Sequence, residues 1–427
     1  MSDFKAIKAS EDVVEAIQRA PDEDDIMMEV KPPKNNGGIG ETERMFRSFH
    51  QVEEEVGLFS RSYSSNTCGM EIWRDEDGIR FFYYVPNRVE ERHYRRQMTG
   101  HFSGISIEEK QAQEEKFPDV SEGDYIASTR FSLNHHYFEP IRSSESKNDS
   151  ISKDPYQTIL SEIDTQGNTR TVLQVMYKPA PPNWTEVLFD NVESHAEKMK
   201  EKSRRRTRWF GLVVDEVDPP GHVSRSAKQV HEQINKQGFF VDVRLAVIDE
   251  DKKRAERHLN TLTNLFTTLY REPSGQHLVP NELTSETAVK QALVDMATRK
   301  EKNMTQGGFM RYLKMKLRGA SDTMVFTISE LAGLAHIPSG DQVSVDSLSW
   351  TDVPVEGTLP PEEERFKPLS EKERKEILQD DSRQTGAQEA WQPTSGESEA
   401  SEGETEKEDD VWVEEELEPD WLPEASD

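Results

Sequence analysis

The sequence predicts an α+β fold, and three features of the chain predict it. Between residues 237 and 270 a strict alternation (Phe239, Val241, Val243, Leu245 and Val247 against Phe240, Asp242, Arg244, Ala246 and Ile248) runs straight into apolar residues at three- and four-residue spacing, namely Ala255, Leu259, Leu262, Leu265, Phe266 and Leu269. These are the periods of a strand and of an amphipathic helix. Upstream, apolar runs alternate between the two periods in the order strand, helix, two strands, helix, strand, helix, strand. Asp77-Gly78, lying between two apolar runs, is a hairpin signal. Together they predict ferredoxin-like split β-α-β layers with an antiparallel or mixed sheet, followed by a disordered acidic tail.

The elements are read in order. Residues 1–24 are polar, with a short helical pattern at Val13, Val14 and Ile17, and read as a flexible N-terminus. Residues 26–32 form a strand, 33–38 a turn, and 40–52 a helix burying Met45, Phe46, Phe49 and Val52. Residues 70–73 and 79–85 form an antiparallel pair, 89–102 a crossing helix, and a short strand lies near Ile105. The β-branched and aromatic run 124–141 reads as one long strand or a bent pair. Asp154-Pro155 caps and opens a helix, and 169–177 is a strand stopped by the prolines that follow. Residues 191–208 read as a charged helix, 209–218 as a strand or hairpin arm, and 221–235 as a connector to the strand at 237. In that strand only Asp242 and Arg244 interrupt the second face, which predicts a central strand with a core on one side and partial cover on the other. Beyond Tyr270 lie an irregular part with a helix near 288–297 and a short capped helix at 329–338 ended by proline. The expected domains are 1–24, a first α+β half at 25–190, a basic helix and connector at 191–236, a second half at 237–358, and the tail at 359–427.

The chain is 427 residues long with net charge −29, and residues 361–427 alone hold 24 acidic and 7 basic residues. A surplus of carboxylates repels a bare phosphate backbone, so any DNA contact is local. The same acidity suits a salt-rich host cytoplasm, where charge is screened. The single Cys68 excludes a disulfide framework and a multi-cysteine metal cage. No apolar run approaches the roughly 18 residues of a membrane span, and the N-terminus lacks the apolar core of a signal peptide. The expected location is therefore cytoplasmic, at a membrane only through a partner.

The chemistry sought in the sequence is mostly missing. No Gly-Lys dipeptide occurs, so no phosphate loop of the GxxxxGK[ST] type is present. Residues 212–216 and 245–250 imitate an apolar run ending in acids, but without that loop they read as strand ends. His231-Glu232 lacks the second histidine of a zinc helix. Asn134, His135, His136 and Tyr137 suggest metal-assisted nicking of DNA, yet adjacent residues on a strand point to opposite faces, so the two imidazoles do not share an ion there. No catalytic residue, metal ligand or cofactor is assigned, and a non-catalytic protein is expected.

Two cationic runs stand out in so acidic a chain. Lys198, Lys200, Lys202, Arg204, Arg205, Arg206 and Arg208, followed by Trp209 and Phe210, suit a phosphate or an acidic partner surface, or else a solvated linker helix. Arg311, Lys314, Lys316 and Arg318 interleave with Tyr312, Leu313, Met315 and Leu317. In the tail, Trp412, Trp421 and Leu422 lie within a polyanion, the composition of a docking motif that orders on binding.

Four stretches in order resemble the N-terminal domains of DNA-pumping P-loop ATPases of conjugation and type IV secretion, related to the HerA and FtsK motors. They are residues 27–50 with Glu43, Met45, Phe46 and His50; residues 79–98; residues 154–179 with their glutamine-bearing strand; and residues 239–262 with the later Ser329-to-Pro338 segment, similar to a motif that precedes the motor in full-length relatives. Where the ATPase would begin, the chain turns acidic, so no nucleotide-binding residue carries over. The resemblance implies an adaptor of a mobile element, plasmid or virus that docks on a separately encoded P-loop ATPase motor or secretion-channel protein, with local DNA contact and homo-oligomers left open. The alternative is a DNA-binding or DNA-processing protein using Arg204, Arg205, Arg206 and Arg208 with His135, His136 and Tyr137. A decayed motor gene is the third reading.

Overall fold

The computed structural model describes residues 4–351, except 19–25, 57–60, 112–119, 147–152, 165–167, 188–189, 210–211, 305–322 and the single positions 204, 284 and 303. Met1–Glu356 forms one unit, and Gly357–Asp427, which forms the other, lies outside the described residues. The chain begins with β1 (Ile7–Lys8) and α1 (Glu11–Ile17). Next come β2 (Ile26–Lys31), α2 (Gly38–Phe49), a small hairpin of β3 (Glu53–Val56) and β4 (Arg61–Ser64), β5 (Cys68–Asp75), β6 (Gly78–Val85), α3 (Arg88–His101) and β7 (Ser106–Gln111). They are followed by β8 (Tyr125–Leu133), α4 (Pro155–Asp164) and β9 (Arg170–Pro179). An insertion then carries β10 (Glu186–Val187), β11 (Asp190–Asn191), α5 (Val192–Ser203), β12 (Arg205–Trp209), β13 (Leu212–Val217) and α6 (Gly221–His231). The chain returns through β14 (Gly238–Asp249), α7 (Lys252–Leu269) and β15 (Leu278–Glu282), and ends with α8 (Glu286–Ala297), β16 (Met324–Thr327) and α9 (Ile328–Leu334).

Ten strands form one sheet, ordered β7-β2-β6-β5-β9-β14-β8, with β1 and β15 both along the outer side of β8 and β16 beside the start of β14. Every strand pairing in it is antiparallel. The order resolves into two copies of one pattern. From β2 to β7 the chain runs strand, helix, strand, strand, helix, strand, and its sheet order is fourth-first-third-second (β7-β2-β6-β5). From β8 to β15 it does the same with β15-β8-β14-β9. Each copy is a ferredoxin-like split β-α-β unit. The copies abut through their second strands, β5 and β9, paired from Cys68↔Tyr177 to Arg74↔Thr171. The protein is therefore α+β, as the periods indicate, but the repeat boundary falls between β7 and β8. The expected first half at 25–190 joins the whole first unit to β8, α4 and β9, which belong with β14.

Local sequence explains the elements. All twelve residues of β14 are buried, because β9 flanks one side along its length while β16 and β8 share the other. The Asp251 side chain accepts the Arg254 N–H at 2.8 Å and starts α7, whose Ala255, Leu259, Leu262 and Phe266 face the sheet. Asn87 caps α3 in the same way through Glu90 N–H at 2.9 Å. α9 opens with a capping box between Thr327 and Glu330. Helices α2, α3, α4, α7 and α9 cover one face of the sheet, whose side chains there (Met28, Val30, Met70, Ile72, Phe81, Tyr83, Leu173, Val175, Val243, Leu245, Phe131) are all buried. α8 lies on the opposite face, over the second unit, with α1 against it.

Several expectations are corrected. The stretch read as a flexible N-terminus is built in: Ile7 and Lys8 pair with Ile126 and Tyr125, and Val13 and Ile17 of α1 are buried. The run at 124–141, expected as one long strand or a bent pair, is a strand only to Leu133, and residues 134–146 turn away as a loop. The charged helix ends at Ser203; Arg205–Trp209 is a strand, paired with Leu212–Val217. The connector before β14 contains α6. β15 escaped notice because Pro280 interrupts its pattern, which an edge strand tolerates since its outward N–H needs no partner. The basic segment at 311–318 lies outside the described residues.

The β5–β6 turn yields a stability test. Gly78 sits at φ +101° after Glu76 and Asp77, and the Ser347 carbonyl oxygen rests against it while accepting the Ile79 N–H at 3.0 Å. A methyl group at 78 would be strained in φ and would overlap that oxygen. Gly78→Ala is expected to lower stability by about 1–3 kcal/mol, read as a shift in the urea midpoint at unchanged slope.

Candidate functional site: a buried polar row and a cationic cavity

The face beneath α8 carries a row of polar residues set by strand register. Glu71, Gln174, Arg244, Arg130 and Asn281 stand directly opposite one another across four pairings, and the register continues through Phe82 to Glu29 and Glu108 in the first unit. Opposed residues share a face, so the register aligns the row. Its middle is a continuous hydrogen-bonded network. The Glu71 carboxylate accepts from Trp73 Nε1 at 2.8 Å, Gln174 Nε2 at 2.9 Å and Arg299 Nε at 2.8 Å. Gln174 Oε1 accepts from Arg244 Nη1 at 2.9 Å. Arg244 grips Asp242 Oδ2 through Nε and Nη2, at 2.9 and 2.7 Å, and Arg130 Nη2 donates to the same oxygen at 2.6 Å.

α8 is locked onto this row by its C-terminus. Arg244 donates to the carbonyls of Asp295 and Lys300, and Gln174 Nε2 to that of Met296. Past the helix, Arg299 N–H bonds Met296 O at 3.1 Å and Lys300 N–H bonds Asp295 O at 3.0 Å, the paired bonds of a Schellman motif. Glycine is the usual residue at the left-handed position of that motif, yet here it is Arg299, at φ +50°. The guanidinium is what the position requires, since it neutralises the fully buried Glu71 and stacks over the Tyr84 ring at 5.5 Å.

Beside the network, between β8, β14, β15 and α8, lies a cavity of about 290 Å³. Its polar wall holds Arg130, Arg244, Lys302, Asn281 and Gln291, and its apolar wall is formed by Ala288, Ala292 and Met296, spaced four apart on one face of α8. Burial pushes Arg130 below the usual arginine range, the Asp242 carboxylate opposes this, and the nearby Arg244 charge adds to it. Buried Arg130 Nε has no hydrogen-bond partner among the described residues.

The sequence-predicted residues lie elsewhere. Lys198 and Lys200 are exposed on α5, Lys202 is on the same helix, and Arg205, Arg206 and Arg208 are on β12, with Arg206 in register opposite Glu216. Arg204, Trp412, Trp421 and Leu422 lie outside the described residues. His135, His136 and Tyr137 are on the loop after β8, which removes the strand geometry used to separate the two imidazoles. Glu139 of that loop joins His135, at 3.0 Å from Nδ1, to His195 of α5, at 3.1 Å from Nε2. The loop thereby braces the base of the basic helix. Although burial opposes it, the hydrogen bonds from His135 and His195 hold Glu139 down at about 2. The bond to Glu139 raises His135 above its ordinary 6.5, against burial. Among the described residues no group of three or more His, Cys, Asp or Glu is placed to hold a metal ion, and no helix is long and apolar enough to cross a membrane.

Sequence reading found Asp242, Arg244 and the glutamine-bearing strand as polar breaks in apolar runs, but gave them no site. Glu71 and Arg130 are interruptions of the same kind in β5 and β8, and that shared pattern was the available signal. Arg299 and Lys302 lie in irregular chain and carry none.

Residues 2–350 match a family described as a domain of unknown function (DUF8128). No curated protein matches the chain.

Two outcomes are expected. Arg299→Met strands the buried Glu71 charge and is expected to cost about 3–5 kcal/mol, whereas adding Glu71→Gln restores part of the loss, a non-additivity that chemical denaturation of the double-mutant cycle measures. Glu139 is depressed, so its contribution is full above its ordinary 4.5 and fades as pH falls towards about 2. His135 is raised, so its contribution is full below 6.5 and fades as pH climbs through its folded value. The melting-temperature loss caused by Glu139→Gln is therefore expected to be greatest between pH 4.5 and 6.5 and to shrink on the alkaline side.

Proposed function

The chain belongs to the DUF8128 family, and we propose, from the resemblance of its sequence stretches, that it is a non-catalytic adaptor, equivalent to the N-terminal domain of a conjugative or secretion-type DNA-translocating ATPase. In this reading it works in the cytoplasm and docks on a separately encoded P-loop motor or channel protein, which holds it at the membrane. The observation that carries the reading is the insertion between β9 and β14. It leaves the ten-stranded sheet, exposes Lys198 and Lys200 on α5, and sets Arg205, Arg206 and Arg208 on a hairpin of its own. Seven cations between residues 198 and 208, on a chain of net charge −29, are suited to an anionic surface. The stretches that resemble the ATPase domains map onto β2–α2, β6–α3, α4–β9, β14–α7 and α9, elements spread through both ferredoxin-like units.

The second reading, a DNA-binding or DNA-processing protein, is favoured by one contact: the His135–Glu139–His195 brace ties the histidine loop to the basic helix. The same replacement tests both. Affinity purification from the native host is to be run with the intact chain and with Lys198, Lys200, Lys202, Arg204, Arg205, Arg206 and Arg208 changed to Gln. Recovery of a P-loop ATPase or channel protein with the intact chain, reduced at least tenfold by the replacement at unchanged melting temperature, is the expected result. Recovery of nucleic acid alone, released by salt, supports the second reading and removes the first.

A further inference from the structure

We propose that the cavity between β8, β14, β15 and α8 is a binding site for a small organic anion, a molecule with one carboxylate or phosphate head on a short apolar body. Charge is the first argument. Arg130 and Arg244 both spend donors on the single oxygen Asp242 Oδ2, and Lys302 Nζ stands 3.5 Å from Asp295. Three cations thus line a space in which, among the described residues, they are paired with two carboxylates, Asp242 and Asp295. An anion is the species that balances the set, and a carboxylate or phosphate presents the paired oxygens that guanidinium donors favour.

Donor supply is the second argument. Arg130 Nε is buried with no partner among the described residues, and an unmet buried donor is costly unless something accepts from it. The network beside it is otherwise well satisfied: Arg244 makes hydrogen bonds to Asp242, Gln174, Asp295 and Lys300. Burial lowers Arg130 and its arginine neighbour adds to this, and an approaching oxyanion offsets the repulsion between the two guanidinium groups.

Shape supplies the body of the ligand. Ala288 and Ala292 place methyl groups where larger residues would fill the space, and Met296 gives the wall an adaptable end. At about 290 Å³ the cavity sits near the small end of ligand sites, roughly 300 Å³ upward. A purely hydrated ion has no use for an apolar wall, whereas a short alkyl chain does. The site is independent of the cationic insertion and of the adaptor reading, since it lies on the sheet face under α8.

The test uses the full chain in thermal-shift and calorimetric titrations with butyrate, butyl phosphate and inorganic phosphate, each against potassium chloride at matched ionic strength. A saturable rise in melting temperature with butyrate or butyl phosphate is expected, larger than with inorganic phosphate; the stronger of the two identifies the head group. Arg130→Gln is expected to weaken binding at least tenfold. Ala292→Leu is expected to abolish it by filling the space with every charge kept, which covers the case in which Arg130→Gln fails to fold. Shifts no greater than those of chloride, or binding unchanged in Ala292→Leu, overturn the proposal.

Discussion

Glu71 is the charge on which the two halves of the sheet meet. It is fully buried, and a buried carboxylate is tolerable only when its oxygens are met by donors. Those donors come from three places: Trp73 on its own strand, Gln174 across the β5–β9 seam, and Arg299 beyond the end of α8. A one-residue slip of the seam would send Gln174 to the helix-covered face and leave Glu71 short of a partner. The same carboxylate therefore specifies strand register between the units and fixes where α8 ends. The left-handed Arg299 is the visible cost, a backbone conformation that glycine would adopt without strain.

The two faces of the sheet follow different rules as a result. Under α2, α3, α4, α7 and α9 the sheet face is largely apolar, and packing against it is joined by hydrogen bonds between the helices, such as Tyr156 Oη to Leu334 O at 2.6 Å and Tyr270 Oη to Gly333 O at 2.9 Å. Under α8 the strands offer glutamine, glutamate, aspartate and arginine, so the helix is held by directed bonds to its last carbonyls. Directed bonds fix one end of a helix and leave its length to fit as it will. Along that length the small residues of α8 stand over Arg130 rather than against it, and the gap that results is the cationic cavity.

Much of this was legible in residue order. The uninterrupted strand-to-helix change at residues 237–270 gives β14 and α7, the Asp77-Gly78 pair gives the β5–β6 hairpin, and Asp154-Pro155 gives the start of α4. The expectation of a core on one side of β14 is met, with α7 on that side, but the other side, expected to be only partly covered, is fully buried, with α8 held over Arg244. What was not legible depends on partners distant in sequence. Nothing in Ile7-Lys8 announces that it pairs with β8, and nothing in residues 134–146 announces that Glu139 will gather His135 and His195. The cavity was invisible for the same reason, since Arg130, Arg244 and Lys302 reach it from strands and loop segments far apart along the chain.

The two units share one topology but differ in how their second and third strands are joined. In the first unit the second and third strands are joined by a two-residue turn closed by Gly78, so β5 and β6 end where the sheet ends. In the second unit the equivalent connection, from β9 to β14, holds α5, the β12–β13 hairpin and α6. A hairpin end is a place where inserted chain disturbs little, because the flanking strands remain paired along their length, here from Phe239↔Pro179 to Ile248↔Arg170. The first unit adds only the small β3–β4 hairpin, whereas the second carries the larger insertion at a strand end and the α8-covered cavity on its polar face. Both are anchored by buried carboxylates, Glu139 bonded to His135 and His195 in one, and Asp242 bonded to Arg130 and Arg244 in the other. Packing fills the face under α2, α3, α4, α7 and α9, and directed bonds to buried carboxylates place α8 and brace the insertion.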